Sequence, residues 1–295
     1  MLMDKQTVLV TGASGGIGLA TAMGVAQMGA HVVLVARDRA RGEAARAAVQ
    51  RAAPKSKATL LVADLSAQAE IRRLAEEVGR LVPRLDVLIN NAAIIPPQRE
   101  LTVDGIERQL AVNHLAPFLL TNLLHDQLRF SAPSRVVTVA SATHAQGRID
   151  LGDLQHERQY HVPGYPVAGW QAYCNTKLMN VLFTHELARQ LAGSGVTANC
   201  LHPGVIATGL TRSWPRWAQQ LYRLLMPGPA RGARSVIFLA SSPQMAAASG
   251  QYVDQRGRAA EPAPLARDPA LARELWDVSA QLVGLHVPAT AAINR

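Results

Sequence analysis

Apolar residues follow two alternating patterns along this chain. The first is a short continuous run rich in Val, Leu and Ile. It recurs as "TVLVTG" (7–12), "HVVLVAR" (31–37), "ATLLVADL" (58–65), "LDVLIN" (85–90), "SRVVTVAS" (134–141), "VTANCLHPG" (196–204) and "GQYVDQ" (250–255). A strand with one wet face would alternate apolar and polar residues, so unbroken runs predict strands buried on both faces, as in a parallel sheet. The second pattern is a longer, mixed segment of helical character, over 16–28, 39–52, 67–80, 102–128 and 172–193, with a last helix over about 268–284. This alternation predicts an α/β fold: a doubly wound parallel β-sheet of about seven strands with helices on both faces. It is expected to form a single domain over 1–285. The Gly/Pro clusters at 226–232 and 257–264 read as punctuation, and 286–295 as a flexible tail.

Composition narrows the field. Of 295 residues, 48% are hydrophobic and 17% charged, which argues against disorder. The formal net charge is +9. Only Lys5, Lys55, Lys57 and Lys177 are lysines, and the arginines that make up the remaining positive charge are scattered rather than blocked. A nucleic-acid tract is therefore not expected, although a basic surface favours anionic ligands or an anionic membrane face. Cys174 and Cys200 form neither a disulfide framework nor a metal-binding spacing, and suit a reducing, cytoplasmic setting. No apolar run reaches the roughly 18 residues of a membrane span.

The first strand–turn–helix–strand unit holds the first chemistry. Gly12, Gly16 and Gly18 give the pattern G-x-x-x-G-x-G directly after a strand. Glycine permits the tight turn and a close backbone approach to a pyrophosphate. The helix that follows offers free N–H groups and the positive end of its dipole. Thr11, Ser14 and Ile17 add side-chain or backbone contacts. The second strand ends in Arg37-Asp38. An acid at that tip would bind a ribose hydroxyl and favour NAD, whereas a guanidinium pairs with a 2′-phosphate. With Arg39 and Arg41 nearby, NADP(H) is favoured over NAD(H), and Asp38 one position later keeps the ribose reading open.

Taken together, these stretches resemble the short-chain dehydrogenase/reductase family, along nearly the whole chain and in the family's motif order. "TGASGGIG" resembles its cofactor loop. "ADL" resembles the adenine-side contact, with Asp64 and Leu65. "NNAA" (90–93) resembles N-N-A-G, which puts Asn91 and Ala92 against the cofactor; Ala93 replaces the usual glycine, and a small shift is expected there. Asn113 in "AVNHLAPFLLT", Ser141 in "VVTVASATH", and Tyr173 and Lys177 in "YCNTK" match its catalytic positions. "HPGVIAT", with Pro203, Gly204, Val205 and Thr208, resembles the nicotinamide-side turn. The segment 147–170, "AYCNTKLMNVLFTHELARQL" and "RELWDVSAQLVGL" resemble the retinol dehydrogenase-like branch. Animal members of that branch often carry an N-terminal membrane anchor, which this chain is not expected to have.

The resemblance implies a Rossmann-type fold and a mechanism. Tyr173 and Lys177, four residues apart, share a helix face. Tyr173 would be the general acid in reduction and the base in oxidation, its phenol made more acidic by the lysine cation. Ser141 would hydrogen-bond the reacting oxygen. Lys177 would also hold the nicotinamide ribose, and Asn113 a proton-relaying water. The histidines 114, 144, 156, 161 and 202 match no metal motif, and no metal site is expected. The segment 208–232 corresponds to the family's substrate lid. Trp214, Trp217, Leu221, Tyr222, Leu224, Leu225 and Met226 make it apolar, interleaved with arginines. Two readings of it stand: a cover for a lipophilic substrate with peripheral membrane contact, or packing on its own domain or a neighbouring subunit. A homodimer or homotetramer through the helices at 102–128 and 172–193 is expected from the family. The expected function is an NADP(H)-dependent oxidoreductase acting on a lipophilic aldehyde, ketone or alcohol. The alternatives are a catalytically silent NADP(H)-binding sensor or scaffold, or another reaction on the same fold, such as light-driven tetrapyrrole reduction.

Overall fold

A computed structural model describes residues 2–161, 169–206 and 227–285. Seven parallel strands form one sheet in the order β3-β2-β1-β4-β5-β6-β7. They are β1 (Thr7–Thr11), β2 (His31–Ala36), β3 (Ala58–Val62), β4 (Val87–Asn90), β5 (Ser134–Val139), β6 (Val196–Leu201) and β7 (Tyr252–Val253). Each falls inside its expected run. The runs lack polar alternation because both faces are covered. Val8 and Val10 pack with the helices on one face, while Leu9 packs with those on the other.

The helices are α1 (Gly16–Gln27), α2 (Arg39–Ala52), α3 (Gln68–Leu81), α4 (Ala116–Leu123), α5 (His125–Phe130), α6 (Trp170–Gln190), α7 (Pro229–Ser241) and α8 (Pro269–Leu282). The starts of α2 and α8 have a local cause. Asp38 and Asp268 accept the first orphan N–H groups, from Arg41 in one case and from Ala270 and Leu271 in the other.

Two expectations are corrected. The segment 102–128 is not one helix. Its first part turns back on itself, with a bridge between Leu101 and Glu107 and Gly105 in the left-handed region. Residues Leu110–Leu115 then wind as a π-helix, so that the Ala116 N–H reaches back five residues to the Ala111 carbonyl. Pro117 supplies a reason: it has no N–H to give the Asn113 carbonyl, its α-helical acceptor. The second correction is α7, which begins inside the supposed punctuation at 226–232. Pro229 sits in the first turn, where its missing N–H costs nothing. Gly232 is a packing glycine, since a Cβ there would stand 2.9 Å from Ile206 Cγ1 and 3.1 Å from Ile17 Cδ1.

The chain runs β1 to β2 to β3 one way, then returns to place β4 on the other side of β1. The crevice outside the carboxyl ends of β1 and β4 is therefore the switch point where doubly wound sheets bind ligands. Among the described residues, no helix is long and apolar enough to cross a membrane. Thr208, nearly all of the expected lid and the tail at 286–295 lie outside the described residues.

Candidate active site

The Gly-rich turn leaves β1 at Gly12, whose φ of +66° favours glycine. A Cβ there would also stand 2.9 Å from the Ala92 Cα. Ser14 and Gly15 lead into α1, whose N-cap is Gly15 and carries no side-chain cap. The N–H groups at Gly16, Ile17 and Gly18 thus keep their polarity for an anion. Gly18 backs the loop: a Cβ on it would meet the Gly12 carbonyl oxygen at 2.5 Å.

Thr11 ties this turn to β4. Its hydroxyl donates to the Ile89 carbonyl at 3.3 Å and accepts from the N–H groups of Asn91 at 2.9 Å and Ala92 at 3.1 Å. The Asn91 side chain donates to the Thr11 carbonyl at 2.8 Å. Its amide therefore braces the loop. Asp64 is likewise engaged locally, accepting from the Ser66 N–H and hydroxyl at 2.9 and 2.8 Å. Leu65 beside it lines a small cleft with Thr11, Asn90, Ala92 and Pro117.

The two residues at the tip of β2 separate in role. The Asp38 carboxylate caps α2, accepting the Arg41 N–H at 2.8 Å. Arg37 is exposed. The Arg41 guanidinium comes to 3.9 Å from where a Gly15 Cβ would stand, which puts a second positive group over the turn.

On the other side of the switch point, β5 ends two residues before Ser141, which caps the short 3-10 turn Ala142–Gln146. Ser141 Oγ accepts the Thr143 N–H at 3.2 Å and the Thr143 hydroxyl at 3.0 Å. Tyr173 and Lys177, in the first half of α6, are both buried, at 6% and 2% exposure. The Lys177 Nζ lies 5.5 Å from the centroid of the Tyr173 ring and donates to the Val139 carbonyl at 2.9 Å. The lysine thereby pins the tyrosine's helix to the strand that delivers Ser141. Loss of water around Nζ pushes its pKa down to about 7.

Asn113 joins the same group through its side chain. Its Oδ1 accepts the Ile94 N–H at 2.8 Å; its Nδ2 donates to the Ile94 carbonyl at 3.0 Å and to Thr176 Oγ1 at 3.2 Å. Thr176 in turn donates to the Tyr173 carbonyl at 2.9 Å. The side chain is a clamp between the loop after β4 and α6. Pro203, Gly204 and Val205 form the turn after β6, with Gly204 at φ +83° and seated so that a Cβ would collide with the Gln255 side chain.

One site neighbour had no motif to announce it. The Trp170 ring lies 5.9 Å from the Tyr173 ring and is held by a bond from its Nε1 to Gln146 Oε1 at 3.2 Å. Its spacing, three residues before Tyr173 on the same helix face, is the signal that could have found it. The histidines do not converge: His114 bonds Ser279 in the core and His156 bonds Asn175, while His144 and His202 both stand by Tyr252.

Residues 6–151 and 162–219 match the family model described as short chain dehydrogenase. The chain belongs to the short-chain dehydrogenase family. It is 41% identical to human retinol dehydrogenase 14, over 96% of this chain and 88% of that protein, and 40% identical to human retinol dehydrogenase 13, over 96% and 86%. Among solved structures, a protein from Mycobacterium paratuberculosis is 34% identical, with a TM-score of 0.76 over 97% of this chain and 96% of that one. This short-chain dehydrogenase is a hydride-transferring oxidoreductase built to take a nicotinamide cofactor. Its own residues fit that group: an uncapped helix start faces a glycine turn at the switch point, with arginines beside it.

Proposed function

We propose that this short-chain dehydrogenase is an NADP(H)-dependent oxidoreductase that interconverts a lipophilic aldehyde or ketone and its alcohol. The observation that carries the reading is the buried meeting of Tyr173, Lys177 and the Ser141 turn beside the cofactor crevice. When bound, the nicotinamide supplies or accepts the hydride.

The chain's own groups handle the oxygen and the proton. Ser141 Oγ already accepts two hydrogen bonds from Thr143, so its own hydrogen is available to the substrate oxygen. Tyr173 gives the proton in reduction and takes it in oxidation. When charged, Lys177 on the same helix face favours the phenolate. Because the Asn113 side chain is committed to Ile94 and Thr176, holding a relay water falls to its main-chain carbonyl, which Pro117 leaves without an α-helical donor.

NADP(H) is favoured because the acid that would bind a free ribose hydroxyl, Asp38, is spent as a helix cap, while Arg37 and Arg41 remain for a 2′-phosphate. Trp170 beside Tyr173 presents an apolar ring near the reacting centre, and the relatives named retinol dehydrogenase point to lipophilic substrates. The buried free thiols of Cys174 and Cys200 suit a reducing, cytoplasmic setting, and assembly as a homodimer or homotetramer belongs to the same reading. A catalytically silent module would have no use for a desolvated lysine at this position.

The test is turnover of NADPH and NADH, side by side, on apolar aldehydes and ketones including retinal. Tyr173→Phe is expected to lower kcat by about 10²–10⁴ while still binding NADPH. Tight NADPH binding without turnover of any carbonyl, or a Tyr173→Phe variant as fast as its parent, would overturn the reading.

A further inference from the structure

His144 lies three residues after Ser141, within the same short turn, and is 4% exposed. Its ring nitrogens meet partners of opposite kind. Nδ1 is 2.7 Å from the Ser141 carbonyl, which can only accept, so Nδ1 carries the hydrogen. Nε2 is 3.0 Å from the Ala263 N–H, which can only donate, so Nε2 is bare. The tautomer is fixed from both ends. Burial pushes the imidazole pKa down, which keeps the bare nitrogen bare. The Ala263 bond joins positions 119 residues apart, so the ring is a strut between the Ser141 turn and a distant part of the chain.

A third partner extends the strut. The Tyr252 hydroxyl of β7 lies 3.4 Å from His144 Nδ1, with ring centroids 4.9 Å apart. The same Tyr252 ring stacks on His202 at 5.8 Å, and His202 directly precedes Pro203 and Gly204. The His202 N–H also donates to the Val253 carbonyl at 3.1 Å. Thus the turn bearing Ser141 and the turn after β6 lean on one tyrosine.

We propose that His144 is a positioning residue for hydride transfer: by donating Nδ1–H to the Ser141 carbonyl and accepting the Ala263 N–H, it sets the angle at which the Ser141 hydroxyl meets the reacting oxygen, in register with the turn after β6. This rests on the reading of Ser141 given above. Small errors of placement at a reacting centre are costly, so the effect belongs in kcat rather than in cofactor binding.

The test uses the full chain and three variants of the strut, with Ser141→Ala as reference. His144→Phe keeps a ring against Tyr252 but has no nitrogen. His144→Asn can return an N–H near the place of Nδ1. Ala263→Pro removes the N–H facing Nε2, and the residue's φ of −54° already suits proline. With NADPH and retinal, His144→Phe is expected to lower kcat by about tenfold to a hundredfold, with the Kd for NADPH little changed. His144→Asn should regain most of that loss, and Ala263→Pro should show a smaller fall of the same kind. A His144→Phe enzyme with unchanged kcat, where Ser141→Ala is slow, overturns the proposal. So does a loss of NADPH affinity in step with kcat, which marks a general structural role. If Ser141→Ala is as fast as its parent, the reading of Ser141 fails, and the positioning role built on it falls too. The strut itself is then judged by 15N spectra of the imidazole: an Nδ1–H tautomer at neutral pH upholds the geometry, and an Nε2–H tautomer removes it. If His144→Phe does not fold, Ala263→Pro decides, and full activity in that variant overturns the proposal.

Discussion

Lys177 shows what a buried cation costs its own fold. Burial holds its pKa at about 7, whereas a lysine in an unfolded chain titrates near 10.4. Between those values the unfolded chain keeps a proton that the folded chain sheds. Stability from this group is therefore fullest above about pH 10, falls as the pH drops toward 7, and levels off below that. Lys177→Met in the cofactor-free protein is expected to be more stable than the parent at pH 7, by up to about 4 kcal/mol, with the gap closing toward pH 10. Denaturant melts at several pH values would check it, and the variant should have no turnover. That Tyr173 and Lys177 share one helix face was readable from their spacing, and Lys177 reaches the strand that precedes the Ser141 turn. The supporting bonds around them were not readable. Asn91 faces a carbonyl 80 positions away and Asn113 faces Ile94, and neither contact leaves a trace in local spacing. Nothing in local spacing marks His144 either, because its bonds to Ser141 and Ala263 exist only once the turn has closed.

At the scale of elements, Asp38 and Arg37 offer a clean separation. If Asp38 is a cap and nothing more, Asp38→Ala should cost about 1 kcal/mol of stability and leave the preference between NADPH and NADH unchanged. Arg37→Ala should leave stability alone and reduce the NADPH preference by about tenfold, the worth of one charge-assisted contact. Thermal melts and paired cofactor titrations distinguish the two. The strands were readable because each is a short, β-branched apolar run closed by a turn signal. Helix interruptions were harder. The break before Leu110 depends on a back-folded turn at Gly105, and the π-helical stretch on a proline that a period-based reading treats as one position among many. For α7 the misleading residues were Pro229 and Gly232. One is a helix starter, and the other is small because α1 and the turn at Ile206 press against it.

Across the whole molecule, one aromatic group carries much of the far side of the sheet. Trp276 of α8 sits 4.8 Å from Phe118 of α4 and stacks on Phe183 of α6 at 5.8 Å, while His114 adjoins both phenylalanines. Trp276→Ala is expected to cost about 3–5 kcal/mol in denaturant unfolding while the folded fraction keeps its kcat, because none of these rings reaches the crevice. The strand order carries a further consequence, for the making of the protein. β1 is laid down first, and its two neighbours both come from later in the chain, β2 at once and β4 only after β3, while the groups at the crevice are spread from Gly12 to Gly204. A chain emerging from the ribosome can complete the phosphate turn early, but it cannot bring Ser141, Tyr173 and Gly204 to that turn until β6 has docked. A ligand that spans these groups therefore favours the chain in which they have all met over any shorter intermediate.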